Sequence, residues 1–148
     1  MRHGQASQLA STDADRALTE TGRRDVVRVV EARSQALGTV QAILASPYRR
    51  ARETAALAIK TLDFNGQLLV CNELRPDGNI AALVDFLEKL DVSSVLLVTH
   101  QPLIGELAST LTGDPRLRAI DTAWLLGLQT EALAPGFARL LWVQTPPV

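Results

Sequence analysis

Histidine is scarce in this chain, which has only two, His3 and His100, and cysteine is scarcer still, with Cys71 alone. One cysteine allows no internal disulfide, and two isolated histidines without neighbouring carboxylates make no metal-ligand pattern. Cys71 lies in the apolar run "LLVCNEL", so it reads as a buried strand residue and not as a nucleophile. No stretch approaches the roughly 18 apolar residues of a membrane span, and no charged segment leading into an apolar one opens the chain. Lys and Arg total 15 against 16 Asp and Glu, which leaves neither a basic footprint for nucleic acid nor an acidic tail. These absences exclude a disulfide scaffold and a membrane or nucleic-acid partner, and they favour a reducing, cytoplasmic setting. No cofactor is implied, and the oligomeric state is left open.

What remains is an ordinary globular composition, 47% hydrophobic and 21% charged, at the length of one domain. Without repeat, linker or low-complexity tract, residues 1–148 read as a single unit. Helical and strand-like patterns alternate along it. Val26, Val27, Val30 and Leu37 fall on one face of a helix that Gly38 closes, and "TVQAILAS" is a buried strand ending at Ser46. Ser46 and Pro47 then suit the N-cap and first position of a helix whose inner stripe is Tyr48, Ala51, Ala55, Ala58 and Leu62.

A second strand, "QLLVCNEL", precedes the turn "RPDGN" and a helix with Ile80, Leu83, Val84, Leu87 and Leu90 inward. "SVLLVTH" has the continuous apolar character of a central parallel strand, and "QPLIGELASTLTG" is the helix after it. The last two strands are "TAWLLGLQ" and "FARLLWVQ", with Trp124 and Trp142 as expected core residues. Such alternation predicts an α/β fold with a mostly parallel sheet between helices, and ligands collect at the carboxyl ends of such strands. Ser46 to Arg50, Glu73 to Asn79 and Thr99 to Pro102 occupy those ends.

In "SPYRRARETA", Arg49, Arg50 and Arg52 crowd a helix N-terminus, where the macrodipole disfavours cations. Glu53 is the natural partner of Arg49 and Arg52. Arg50 is placed to clamp a phosphate bidentately. His100 follows a buried strand, and His3 stands in "RHG" at the start of the chain.

Taken together, R-H-G at 2–4, S-P-x-x-R-A-x-x-T at 46–54 and T-H-x-P at 99–102 resemble the histidine phosphatase superfamily, in particular its small SixA-type phosphohistidine phosphatases. "RALTETG" at 16–22 and "NELRPDGN" at 72–79 look like two further family segments. The resemblance implies a three-layer α/β/α sandwich of the phosphoglycerate mutase-like kind. By the same carry-over, His3 is the nucleophile, Arg2, Arg50 and His100 form the phosphate pocket, and Glu73 is the proton donor. Gly4 is expected to let the backbone approach bound phosphate, and Glu73 needs a raised pKa to hold its proton. Arg16 matches a recurrent arginine and is expected to pair with Asp13 or Asp15.

The implied reaction hydrolyses phosphohistidine on a signalling protein, such as a histidine phosphotransfer domain, through a covalent phosphohistidine on His3, with no metal. Short connections at Leu62–Glu73 and Asp91–Ser94 leave no room for a lid, which favours a protein substrate. Two alternatives stay open, a small-molecule phosphomonoesterase and a phosphate- or phosphoprotein-binding module without turnover. Relatives carry a short apolar strand directly before R-H-G, and this chain does not. The usual first strand is therefore expected to be missing or truncated, with about five apolar codons upstream in the gene and His3 loosely anchored here.

Overall fold

The computed structural model describes residues 1–148. Its centre is β1 (Ala42–Ala45), four residues that are all buried, which is what a short run of small and branched apolar side chains requires when both faces are covered. Strands β2 (Gln67–Val70) and β3 (Val95–Val98) pair with it in parallel, in the order β2-β1-β3. The two-residue period of β1 divides the core. Ile43 and Ala45 pack with Val26, Val29 and Val30 of α1 (Glu20–Ala32) and with Ala51, Ala55 and Ala58 of α3 (Arg49–Leu62). Ala42 and Leu44 pack oppositely, with Leu83 of α4 (Ile80–Glu88) and with Leu103, Leu107 and Leu111 of α5 (Leu103–Thr112). Helices thus cover both faces of a mostly parallel sheet, the expected three layers. Each fully buried Leu or Ile there contributes about 1.5–3 kcal/mol.

Several local expectations shift. The first helix breaks at Arg33, so Leu37 belongs to a separate turn, α2 (Ser34–Leu37), and Val29 replaces Val27 on the inner face. Ser46 does not cap α3, which starts at Arg49 after an extended Tyr48; its hydroxyl is bonded to His100 and accepts from Tyr48 N–H. Arg50 consequently sits in the first turn. Trp124 and Trp142 are only partly buried, and the Arg33 guanidinium lies 4.6 Å from the centroid of the Trp142 ring.

The last strands, β4 (Leu125–Gln129) and β5 (Arg139–Gln144), form an antiparallel pair apart from the other three. Between the two sheets run Met1–His3, which make a single parallel bridge, Arg2 to Thr99. The first strand is therefore truncated to one bridge. It is nevertheless firmly held, contrary to the loose anchoring expected. Thr99 N–H donates to Met1 O and His3 N–H to Thr99 O on one side, while Arg2 N–H donates to Trp124 O and Ala123 N–H to His3 O on the other, all at 3.0 Å. The Met1 amino nitrogen also donates to Leu97 O at 2.8 Å, and the Met1 side chain joins the core.

Candidate active site

Parallel register brings the carboxyl ends of three chain segments side by side. Ala45 is level with Val98, so Ser46 and Thr99 leave the sheet together, and Ser46 N–H donates to Val98 O at 3.0 Å. The Arg2–Thr99 bridge then places His3 beside His100, with ring centroids 4.9 Å apart. Arg50, in the first turn of α3, points its Nε–H at His3 Nε2, 3.2 Å away. His3, Arg50 and His100 are all buried, at 6%, 4% and 1% exposure.

The hydrogen bonds fix which imidazole nitrogen is free. His3 Nδ1 lies 2.7 Å from Gly4 O, and a carbonyl can only accept, so the ring proton is on Nδ1 and Nε2 carries the lone pair. Burial first, and then the charges of Arg50 and Arg2, lower the His3 pKa to about 4 against the opposing bond to Gly4 O. His100 is lowered to about 3, chiefly by burial and then by His3 and Arg50. Both rings are therefore neutral at physiological pH. His100 Nε2 is 2.7 Å from Ser46 Oγ, while His100 Nδ1 is buried with no partner. The Arg2 NH1 donates to Ile120 O at 2.7 Å, and its buried Nε also has none. Two buried polar nitrogens without partners, on Arg2 and His100, leave donors that an anionic acceptor would satisfy.

Two predicted residues do not fit their expected roles. Gly4 N–H is already bonded to Thr54 Oγ1 at 3.1 Å, and a Cβ at Gly4 would lie 2.8 Å from Gly22 O and from Val26 Cγ2. Glycine is needed there because α1 presses against the loop. Glu73 is not part of the cluster. Its carboxylate accepts from Cys71 Sγ at 3.1 Å, which lowers its pKa, so the raised value demanded of a proton donor is absent. It lines an open depression with Asn72, Arg75 and Asp77.

Arg16 pairs with Asp13 at 3.0 Å, and Arg49 with Glu53 at 2.9 Å, both as expected, whereas Arg52 is exposed. Four residues of the site were not anticipated in these roles. Thr54 pins Gly4, Ser46 holds His100, and Tyr48 lies edge-on to His100 with the Arg50 guanidinium 5.0 Å from its centroid. The fourth, Asp13, accepts from Arg50 NH2 at 3.1 Å through its side chain and from NH1 at 2.7 Å through its carbonyl.

The lowered histidines give a testable pH dependence. An unfolded histidine binds its proton near pH 6.5, but the folded His3 and His100 do so only near 4 and 3. Stability is therefore complete above pH 6.5 and falls as pH drops toward the folded values, with a slope approaching about 1.4 kcal/mol per pH unit for each ring. The buried Met1 amino group, lowered to about 5, adds to the slope in the same sense. Urea midpoints measured from about pH 7 to about pH 5, above the main carboxylate range, are expected to decline steadily. A flat profile would contradict these assignments.

Known proteins resemble this chain along most of its length. The family model described as histidine phosphatase superfamily (branch 1) matches residues 1–75. The chain belongs to this superfamily. It is 34% identical over 123 residues to the phosphohistidine phosphatase SixA homolog of Haemophilus influenzae, covering 76% of this chain and 75% of that one. It is 31% identical over 114 residues to the phosphohistidine phosphatase SixA of Escherichia coli, covering 75% and 71%. A solved structure of the protein histidine phosphatase SixA complexed with tungstate superposes with a TM-score of 0.89 at 26% identity, over 99% of this chain and 94% of that one.

Proposed function

We propose that this chain is a phosphohistidine phosphatase working through a covalent phosphohistidine on His3. The observation that carries the reading is the His3 tautomer, with Nδ1–H tied to Gly4 O and a neutral Nε2 facing Arg50 in an anion-ready pocket. A binding module would need the arginines and His100 but no free lone pair. When a phosphoryl group enters, Arg50 Nε–H turns from His3 Nε2 to a phosphoryl oxygen, and the released lone pair attacks phosphorus in line. Arg2 and His100 Nδ1–H share the charge on the equatorial oxygens, so the residues present supply the neutralisation. Water then cleaves the P–Nε2 bond and releases phosphate. The SixA relatives, one of them bound to tungstate, a tetrahedral oxyanion, support the substrate class.

The substrate on this reading is a phosphorylated protein, a histidine phosphotransfer domain in particular, and the setting is the cytoplasm. The links between α3 and β2 and between α4 and β3 are too short to form a lid, which favours a side chain presented by another protein. The test compares kcat/KM on a phosphorylated histidine phosphotransfer domain with that on p-nitrophenyl phosphate. A clear preference for the protein is expected. Equal or faster turnover of the small ester would defeat the reading in favour of a general phosphomonoesterase.

A further inference from the structure

The Arg50 guanidinium uses Nε–H on His3, NH1 on the Asp13 carbonyl and NH2 on the Asp13 carboxylate. Asp13 thus sits one guanidinium away from the nucleophile. Its other carboxylate oxygen accepts from Arg16 NH1 at 3.0 Å, and the side chain keeps 57% of its surface exposed. A carboxylate offers about four acceptor sites, so two arginine bonds leave two of them free.

The floor of the pocket is buried, and an in-line leaving group must depart away from His3 Nε2, toward the open side. Asp13 is the acidic side chain hydrogen-bonded to Arg50, and with more than half of its surface exposed it stands at the solvent side of the cluster, whereas Glu73 is bonded to Cys71. The charges bonded to Asp13 are positive, from Arg16 and Arg50. An alcohol leaving as alkoxide gains nothing from a carboxylate at this place and is repelled by it. A phosphorylated imidazole differs, because its distal nitrogen can hold a proton near neutral pH and present an N–H.

We propose that Asp13 is a specificity-determining residue, whose carboxylate accepts the distal N–H of an incoming phosphohistidine ring and so selects a protonated imidazole as leaving group over an alcohol. The assignment rests on the phosphohistidine reading above. The substrate ring takes its distal proton from solvent and binds as a cation. His3 Nε2 donates its electron pair to phosphorus, the substrate P–N bond breaks, and that bond's pair returns to the ring nitrogen. The ring leaves as neutral imidazole, its remaining proton still directed at Asp13. No proton passes to or from a protein side chain, so a strong general acid is not needed. The carboxylate is suited to the role because the hydrogen bond from Arg16, with the one from Arg50 NH2, holds its pKa below the usual range and keeps it ionised.

The experiment measures kcat/KM for wild type, Asp13→Asn and Asp13→Glu on phosphoimidazole and on p-nitrophenyl phosphate, with a phosphohistidine protein as a third substrate for wild type. Both small substrates need Arg50, so a purely structural loss in Asp13→Asn lowers both equally and leaves their ratio unchanged. The proposal predicts that the phosphoimidazole to ester ratio falls about tenfold in Asp13→Asn, the scale of one charge-assisted hydrogen bond, and recovers at least partly in Asp13→Glu. An unchanged or rising ratio in Asp13→Asn, or no recovery in Asp13→Glu, overturns the assignment while leaving the phosphohistidine reading intact. A wild type inactive on the phosphohistidine protein overturns that reading, and the assignment to Asp13 with it.

Discussion

His3→Ala is expected to lower kcat/KM by at least about 10³-fold while inorganic phosphate still binds within about tenfold of wild type. The two numbers differ because the roles of the groups differ. On the proposed mechanism His3 Nε2 supplies the electron pair that bonds to phosphorus, so its loss removes the covalent route altogether. Ground-state binding draws chiefly on Arg2, Arg50 and His100, which the substitution leaves in place. The fold should tolerate it, since Met1–His3 is held by backbone bonds on both sides and an alanine keeps them. Steady-state kinetics with calorimetric phosphate titration reads both quantities. Residual activity within tenfold of wild type would remove His3 from the mechanism.

Arg50→Ala should have the next largest effect, about 10²–10³-fold in kcat, with weakened phosphate binding as well. Arg50 is the residue in the cluster that both touches the nucleophile and carries a full, buried charge. As phosphorus becomes five-coordinate its oxygens need fixed donors, and a buried guanidinium provides them without reorganisation. Removing it strands no buried anion, because Asp13 is more than half exposed and can hydrate, so the folded protein should survive. Arg50→Lys keeps the charge but not the planar fork, and should recover little of the lost rate. Matching melting curves for the variants would separate lost chemistry from lost structure. A modest change in kcat with intact binding would show that Arg50 serves Asp13 and not the phosphoryl group.

The parts of this molecule legible in the sequence are those set by short-range pattern. Continuous apolar runs mark β1 and β3, and the helical period marks the alanine face of α3, because both depend on near neighbours in the chain. His3, Arg50 and His100 were found through motifs at strand and helix ends, and the parallel register does bring them together. Asp13 escaped because its bond to Arg50 joins a loop to a helix, and no periodicity connects the two. A faint signal existed in "DADR", where the same aspartate was expected to pair with Arg16, and it does so while also reaching Arg50. At Gly4 the close backbone approach is to α1, and packing of a helix against a loop is a tertiary fact that no local pattern carries. The surroundings of Glu73 lower its pKa, the opposite of the direction expected for a proton donor. Motif position says nothing of the Cys71 thiol that hydrogen-bonds its carboxylate.

The stereochemical course at phosphorus tests the central claim most directly. Two successive in-line displacements, first by His3 Nε2 and then by water, return phosphorus to its starting configuration, so hydrolysis of an isotopically chiral thiophosphate ester should proceed with retention. Inversion would mean that water attacks the substrate in one step, with no covalent intermediate on His3.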